Sequence, residues 1–277
     1  MTVAFVFSGG ASLGAIQVGM LQSLDAAAIT PDLIIGTSVG AINGAWVAGG
    51  GDTAELADIW LRMRREDMFP FRPIVGLRAF MGRTQHFIPS DGLRRILEAN
   101  VIFDRLEDAK IPFAVLATDA QTGDEVVLRS GSAIEAILAS SALPAIFPPV
   151  EIDGVALIDG GIVNNTPITS AIDAGASEVW VLSTGYACGL SSAPKHPLAL
   201  AMHSIGLLIQ QRLVWEIESR KYPVPVHLIP SPCPVDVSPM DFSQSQDLID
   251  RARIGTTQWL NNGQPNAIPI TAHHRHG

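Results

Sequence analysis

The segment Asp32-Leu33-Ile34-Ile35-Gly36-Thr37-Ser38-Val39-Gly40 (residues 32–40) passes from a short apolar run into a stretch of helical character through Gly-Thr-Ser-Val-Gly. A Gly-x-Ser-x-Gly turn between a strand and a helix is typical of a nucleophile elbow. Gly36 and Gly40 fit this interpretation, because a serine on a strained turn leaves no room for side chains two residues away. The pattern predicts that Ser38 is a nucleophile; the alternative is a glycine-rich turn of structural use only.

Main-chain amides near this turn are the predicted anion-binding groups. Val39 would offer its N–H at a helix N-terminus, where donors lack partners and the helix dipole favours negative charge. A second set lies in Ser-Gly-Gly-Ala-Ser-Leu-Gly at residues 8–14, which follows the first apolar run. This loop lacks the glycine order of a dinucleotide site and the Gly-Lys-Ser/Thr ending of a P-loop. We therefore expect an oxyanion hole, formed with the amides of Gly9, Gly10 and Ala11.

Short apolar runs rich in β-branched residues alternate with stretches of helical periodicity along the chain. The predicted strands are 3–7, 33–35, 113–117, 126–128, 155–158, 179–182 and 226–229. The predicted helices are 16–28, 41–48, 53–63, 91–99, 168–174, 198–218 and 244–260. Thr166 and Pro167 would begin the helix at 168 as N-cap and first helical residue, and Gly175 would end it. The alternation predicts a three-layer α/β/α fold with a mostly parallel central sheet, in a single domain spanning residues 1–277.

The composition narrows the class of protein. Hydrophobic residues make up 47% and charged residues 16% of the 277 residues, which excludes disorder and a coiled coil. The net charge of -9 argues against a nucleic-acid binder, which would need a cationic face. Residues 33–51 are uncharged but glycine-rich, so we expect a buried strand and helix rather than a membrane span.

Two further features bear on the expected compartment. The N-terminal residues lack a positively charged segment and their apolar run ends at Phe7, so no signal peptide is expected. Cys188 and Cys233 are too few for a disulfide framework and have no metal-ligand spacing, which fits a reducing compartment. We expect a cytoplasmic protein; contact with a membrane surface is one of two interpretations of residues 60–87, given below.

The predicted nucleophile needs a base, and two candidates remain open. Asp159 ends the apolar run at 155–158 and is followed by Gly160 and Gly161. A carboxylate near its reference pKa of about 3.9 is a poor acceptor for a serine proton, but desolvation would raise its basicity. His227, in the predicted strand 226–229, would instead complete a Ser-His-Asp triad in the order Ser, Asp, His. Asp159 could also be a structural turn residue.

Three segments in this order resemble the patatin-like phospholipase family: residues 8–14, residues 36–40 and Leu-Ile-Asp-Gly-Gly at 157–161. Residues 117–119, 139–149 and 164–167 are also similar, and the resemblance covers roughly residues 3–185. It implies a Ser–Asp dyad that cleaves acyl esters of phospholipids, lysophospholipids or neutral lipids without histidine, metal or cofactor. The non-enzymatic alternative is a module that binds a nucleotide or a lipid without turnover.

The resemblance also implies roles for individual residues. Carried over by position, Ser38 is the nucleophile, Asp159 the base, and the amides around residues 9–11 the oxyanion hole. Two positions depart from the family pattern. Ala11 replaces a glycine and disfavours a positive φ, and Leu13 stands where the family often has arginine or lysine. Both departures bear on how strongly an anion is stabilised.

Residues 60–87 form a basic and aromatic segment, with six arginines against Glu66 and Asp67, or +4. We expect an insertion or lid at about 60–90. One interpretation is a solvated loop whose aromatic side chains pack on the core. The other is a membrane-contacting patch. Its residues would be Arg62, Arg64, Arg65, Phe69 and Phe71.

The predicted helix at 198–218 has one apolar side, which we expect to pack in the core rather than contact a membrane. The residues on that side are Leu198, Ala201, Met202, Ile205, Leu208 and Ile209.

Overall fold

A central β-sheet forms the middle layer of the computed structural model, which describes residues 1–69, 88–185, 188, 190, 192–195 and 197–263. The strands are β1 (Val3–Phe7), β2 (Leu33–Thr37), β3 (Phe113–Asp119), β4 (Glu125–Leu128), β5 (Val150–Ile152), β6 (Val155–Asp159), β7 (Glu178–Leu182) and β8 (Val226–Leu228). The helices are α1 (Ala15–Ala26), α2 (Val39–Ala48), α3 (Thr53–Arg62), α4 (Arg65–Met68), α5 (Asp91–Asn100), α6 (Ala133–Ser140), α7 (Gly161–Asn164), α8 (Ile168–Asp173), α9 (Pro197–Ser219) and α10 (Ser245–Asn261). Short 3-10 helices span Ala11–Gly14 and Leu106–Asp108.

The strand order explains how distant parts of the chain meet. The sheet runs β5-β6-β3-β2-β1-β7-β8, with β4 paired to β3 outside this path. The pairs from β3 through β2, β1 and β7 to β8 are parallel, whereas β6 and β4 are antiparallel to β3. The ends of β1, β2 and β7 therefore lie at one edge of the sheet, and β6 reaches that edge from the opposite direction.

Side chains of the central strands alternate between two apolar cores, as expected for a sheet covered on both faces. In β1, Phe5 and Phe7 face the core shared with α1, α2, α3 and α10. Ala4 and Val6 face the core shared with α8 and part of α9. The predicted α/β/α layering is therefore confirmed. Residues 33–51 form β2 and α2, and no helix among the described residues has the length and hydropathy needed to cross a bilayer.

Some local predictions were wrong. Strand β5 and helix α6 were not predicted, and Pro167 occupies the N-cap position of α8, one residue later than expected. Thr166 does not cap the helix; its buried Oγ1 has no hydrogen-bond partner among the described residues. Gly175 follows α8 with φ 96°, the left-handed conformation expected of a glycine that ends a helix.

The structure also corrects the expectation that the two cysteines are unpaired. Cys188 and Cys233 form a disulfide, with their Cα atoms 6.2 Å apart. The pairing has a topological cause. Cys188 follows β7 and Cys233 follows β8, and these neighbouring parallel strands bring their following loops together. A sequence separation of 45 residues gave no sign of this.

The structure describes only the ends of the predicted insertion, and Phe71 lies outside the described residues. Arg62, Arg64 and Arg65 are exposed. Phe69, in contrast, is 5% exposed and stacks on Phe147 with ring centroids 5.5 Å apart. The prediction that Phe69 contacts a membrane does not fit this burial, which agrees with the alternative of aromatic side chains packed on the core.

Helix α9 also differs from expectation, because its predicted core face is only partly covered. Leu208 is 70% exposed and Ala201 is exposed as well. The residues that anchor α9 in the core are Leu213 and, partly buried, Ile217. The apolar periodicity of this helix therefore does not mark a single buried face.

Candidate active site

Ser38 lies on a sharp turn between the end of β2 and the start of α2. Its backbone has φ 54° and ψ -126°, a strained conformation for a residue with a side chain. The helix passes so close to the strand that a Cβ on Gly36 would lie 2.5 Å from the carbonyl oxygen of Gly40. A Cβ on Gly40 would collide with the main chain of Phe7. The two glycines are therefore required by close backbone contact, as the elbow pattern predicts.

The hydroxyl group of Ser38 donates a hydrogen bond to Oδ2 of Asp159 over 2.7 Å, although 121 residues separate them in sequence. The sheet produces this contact. Thr37 pairs with Leu116 of β3, and Asp159 pairs with the next residue of β3, Ala117. The antiparallel strand β6 thus ends beside the turn that follows β2.

Asp159 is 2% exposed, and burial raises the pKa of its carboxyl group to about 6 from the usual 3.8. Hydrogen bonds to the charged form oppose this shift. They come from the Ser38 hydroxyl and from the N–H of Gly161, which lies 2.7 Å from Oδ1. Because the shift is upward, this carboxylate is a stronger base than an exposed aspartate.

The glycine-rich loop after β1 lies at the same edge of the sheet. The N–H of Gly9 donates to Oδ1 of Asn165 over 3.1 Å, so this amide is occupied. The amides of Gly10 and Ala11 have no acceptor among the residues that the structure describes. Ala11 adopts φ 51°, a left-handed conformation that the glycine of the family pattern would adopt more easily. The sequence prediction grouped all three amides, whereas the structure separates Gly9 from the other two.

The N–H of Val39 is the first in α2 and also has no acceptor among the described residues. It follows Ser38 directly in the chain, so it points from the helix N-terminus into the region of the serine. Donors from two separate elements, the loop after β1 and the start of α2, are thus available for a developing negative charge.

Three polar side chains that the sequence analysis did not assign hold this arrangement. Ser140 Oγ accepts from the Ser38 N–H at 2.8 Å and donates to the Leu116 carbonyl oxygen at 2.5 Å. Asn165 both accepts from Gly9 N–H and donates to Gly9 O, at 3.1 and 3.2 Å. Thr184, after β7, donates to the same Gly9 oxygen at 2.7 Å. Ser140 and Asn165 lie in segments that resemble the family, which was the available signal.

Ser38 and Asp159 line a cleft that is partly open to solvent. Its lining is mostly apolar, and the polar groups converge at the serine end. The apolar side chains come from the glycine loop, from the loop after α6, from α9 and from the segment before α10: Leu13, Leu143, Ile205, Ile209 and Pro239. His203 of α9 also lines the cleft, a position that the sequence gave no reason to choose.

His227 is not part of this site. Its Nε2 lies 3.0 Å from Oε1 of Glu178, and its ring stacks on Trp180 with centroids 4.3 Å apart. Its register partner across β7 and β1 is Ile34 of β2, three strand spacings or about 14 Å away. The carboxylate oxygens of Asp159 instead bind Ser38 and Gly161. The described geometry therefore gives no support to the triad alternative with His227.

Comparison with known proteins gives the following matches. The family model described as "Patatin-like phospholipase" matches residues 5–172. Mouse (Mus musculus) patatin-like phospholipase domain-containing protein 6 is 29% identical over 189 residues, or 66% of this chain and 14% of that protein. Lysophospholipase NTE1 of Mycosarcoma maydis is 27% identical over 190 residues, or 67% of this chain and 10% of that protein. VipD from Legionella pneumophila aligns over 94% of this chain and 67% of that chain, with 15% identity and a TM-score of 0.48. The chain thus spans about a seventh or less of the two curated relatives.

Proposed function

The chain belongs to the patatin-like phospholipase family, and on that basis we propose that it is a lipid acyl hydrolase with a Ser38–Asp159 catalytic dyad. The observation that carries the proposal is the 2.7 Å hydrogen bond from the Ser38 hydroxyl to the buried Asp159 carboxylate, at the end of an apolar cleft. A buried carboxylate with a raised pKa can accept the serine proton, which activates the hydroxyl as a nucleophile.

In the proposed first half-reaction, Asp159 removes the proton from Ser38 Oγ as this oxygen attacks the carbonyl carbon of the ester. The carbonyl oxygen becomes an oxyanion, stabilised by the amides of Gly10, Ala11 and Val39. When the tetrahedral intermediate collapses, the bond from the acyl carbon to the alcohol oxygen breaks. The leaving alcohol takes the proton from Asp159, and the acyl group remains on Ser38.

In the second half-reaction, water attacks the acyl-serine ester and Asp159 accepts one of its protons. The bond to Ser38 Oγ then breaks, the serine regains the proton, and a fatty acid leaves. The chemistry is consistent with a lipid substrate of the phospholipase A or lysophospholipase type, because the cleft beside the dyad is walled by aliphatic side chains. A charged or strongly polar acyl portion would gain little from such walls.

Covalent labelling tests this proposal directly. Incubation with a long-chain alkyl fluorophosphonate, followed by peptide mass spectrometry, is expected to find one adduct, on the peptide that contains Ser38. Fatty-acid release from p-nitrophenyl esters, a lysophospholipid and a phospholipid should be lost in proportion to labelling. An adduct on a different serine that accompanies full inactivation, or no release from any of these esters, would contradict the proposal.

The pH dependence of hydrolysis should follow the ionisation of Asp159, because only the carboxylate can accept the serine proton. Its pKa of about 6 means that kcat/KM rises with pH below that value and levels off above it. At pH 4 we expect kcat/KM to be about 100-fold below the plateau, since each pH unit below the pKa costs a factor of about ten.

This profile can be measured as fatty-acid release between pH 4 and pH 8, with circular dichroism at each pH to establish that the protein stays folded. A profile whose midpoint lies near 4, or one that is flat over this range while the fold persists, would show that a buried Asp159 is not the base.

Asn165 is expected to act as a positioning residue for the oxyanion hole. Its side chain makes two hydrogen bonds to the main chain of Gly9, next to the amides of Gly10 and Ala11. Asn165→Ala removes both bonds, so the loop should lose its fixed geometry; we expect kcat to fall about tenfold with KM nearly unchanged. Steady-state kinetics on a short-chain ester measure this split. Thr169→Ala, at a half-buried position outside the cleft lining, is the control and should leave both constants unchanged.

A further inference from the structure

The outward face of α9 carries exposed apolar side chains that have no role in the proposed chemistry. Four large apolar side chains are exposed there: Leu200 (45%), Leu207 (39%), Leu208 (70%) and Trp215 (64%). At about 100° per residue they fall within an arc of about 100° on the helix. Ser204 and Gln211, both exposed, lie within the same arc. A single exposed leucine needs no explanation, but four large apolar side chains along one helix form an apolar strip, which Ser204 and Gln211 interrupt.

The opposite side of the same helix forms part of the catalytic cleft. Ile205, Gly206 and Ile209 line the cleft with His203, and further along the helix Leu213 is buried in the core. Helix α9 thus forms part of the cleft wall and carries exposed apolar side chains on its other side. A molecule that covers the outer strip would therefore lie on the helix that also lines the cleft of Ser38.

The charges along this part of the chain indicate what could cover the strip. Residues 197–211 contain no Asp, Glu, Lys or Arg. Across residues 195–221 there are four basic residues and two acidic ones, or +2, in a chain whose net charge is -9. One of the acids, Glu216, is buried and forms an ion pair with Arg220 at 3.7 Å. The basic residues are all exposed: Lys195, Arg212, Arg220 and Lys221. An uncharged apolar strip flanked by exposed basic side chains fits the headgroup region of an anionic lipid surface.

We propose that the outer strip of α9 is the surface by which this protein lies on an anionic lipid layer, so that substrate enters the cleft from that layer. The inference deepens the proposed function and rests on it for the identity of the substrate. The strip, defined by Leu200, Leu207, Leu208 and Trp215, takes the role that the sequence analysis considered for Phe69, which is packed in the core. Trp215 supplies a side chain of the type enriched where membranes meet water.

Vesicle binding by the Ser38→Ala protein tests this, because binding is then measured without hydrolysis. With sucrose-loaded vesicles of phosphatidylcholine and phosphatidylglycerol, sedimentation is expected to pellet the protein. Leu208→Glu combined with Trp215→Glu should lower the partition coefficient at least about tenfold, since both side chains would enter the acyl boundary. Arg212→Gln should lower it about fivefold on these vesicles and hardly at all on pure phosphatidylcholine.

Ile102→Glu is the matched control, because Ile102 is also 70% exposed but lies beside Gly49 at the end of α2. It should bind as the parent does. Thermal unfolding of each variant checks the fold, and Leu208→Ser serves as a milder replacement should the double variant be unstable. Equal binding by the strip variants and the Ile102 control would overturn the proposal.

A second copy of the chain is the competing occupant of the strip. Concentration-dependent dimerisation that Leu208→Ser abolishes, without any effect on vesicle binding, would assign the strip to self-association and refute the lipid proposal. Vesicle binding by the strip in a protein that hydrolyses no ester would refute the proposed function while leaving the surface assignment intact, so the two failures are distinguishable.

Discussion

Replacing Ser38 by alanine is expected to lower kcat for ester hydrolysis by about 10⁴-fold to 10⁶-fold and to abolish labelling by a fluorophosphonate. The change removes the only atom that the proposed mechanism uses to form the acyl intermediate, and it leaves the amides and the cleft in place. Residual turnover would then come from oxyanion stabilisation and binding alone. Fatty-acid release and intact-protein mass spectrometry measure the two effects.

Ser38→Gly is the informative companion variant, because it also removes the hydroxyl but relieves the backbone. The residue has φ 54° and ψ -126°, where a Cβ is strained. We expect Ser38→Gly to be more stable than Ser38→Ala by about 1 kcal/mol in urea unfolding, although both are inactive. If Ser38→Gly were the less stable of the two, the backbone conformation at residue 38 would not be a source of instability in the parent protein.

Most of the sheet was predictable because buried parallel strands are continuous apolar runs with few other interpretations. Strand β5 and helix α6, which were not predicted, have shorter and weaker sequence patterns. Strand β5 has only three residues, but Asp153 and Gly154, both with positive φ, form the two-residue turn into β6. That dipeptide is a recognised hairpin signal. Helix α6 begins at the N-cap Ser132, whose side chain accepts from the Glu135 N–H. The Ser-x-x-Glu spacing there is a capping-box pattern, which is a local signal for the start of a helix.

The dyad residues were predictable one at a time from local patterns, whereas their contact was expected from the family resemblance and not from the spacing of the two residues. Ser38 and Asp159 each follow an apolar run with glycines beside them, which is a local pattern. That β6 lies antiparallel to β3, and so ends beside the turn after β2, is a property of strand order. For α9, the local pattern was clear but did not identify which side of the helix is buried. Apolar side chains line the cleft on one side and face solvent on the other, so periodicity alone could not identify the buried face.

Asp159→Asn is expected to reduce kcat by about 10³-fold to 10⁴-fold, because the amide cannot accept the proton of the Ser38 hydroxyl. Asparagine has nearly the same shape, and its oxygen can still accept from the Gly161 N–H, so the turn should be preserved. His227→Ala is the control and should retain activity, since His227 pairs with Glu178 away from the cleft. Equal losses in the two variants would favour a histidine-dependent reaction.

The same substitution should stabilise the fold at neutral pH. The pKa of Asp159 is about 6 in the folded protein and 3.8 for an unperturbed carboxyl group, so between about pH 4 and pH 6 the folded state holds a proton that the unfolded chain releases. Stability from this residue is therefore full below about pH 4, declines as pH rises, and is lost above about pH 6. The pKa difference corresponds to about 3 kcal/mol at pH 7. Because asparagine does not ionise, Asp159→Asn should exceed the parent by up to about that amount at pH 7 and by little at pH 4. Urea unfolding of both proteins at the two pH values measures the difference. Equal stability at pH 7 would mean that burying the charged form of Asp159 does not lower the free energy of unfolding, and that the basicity of this carboxylate has another source.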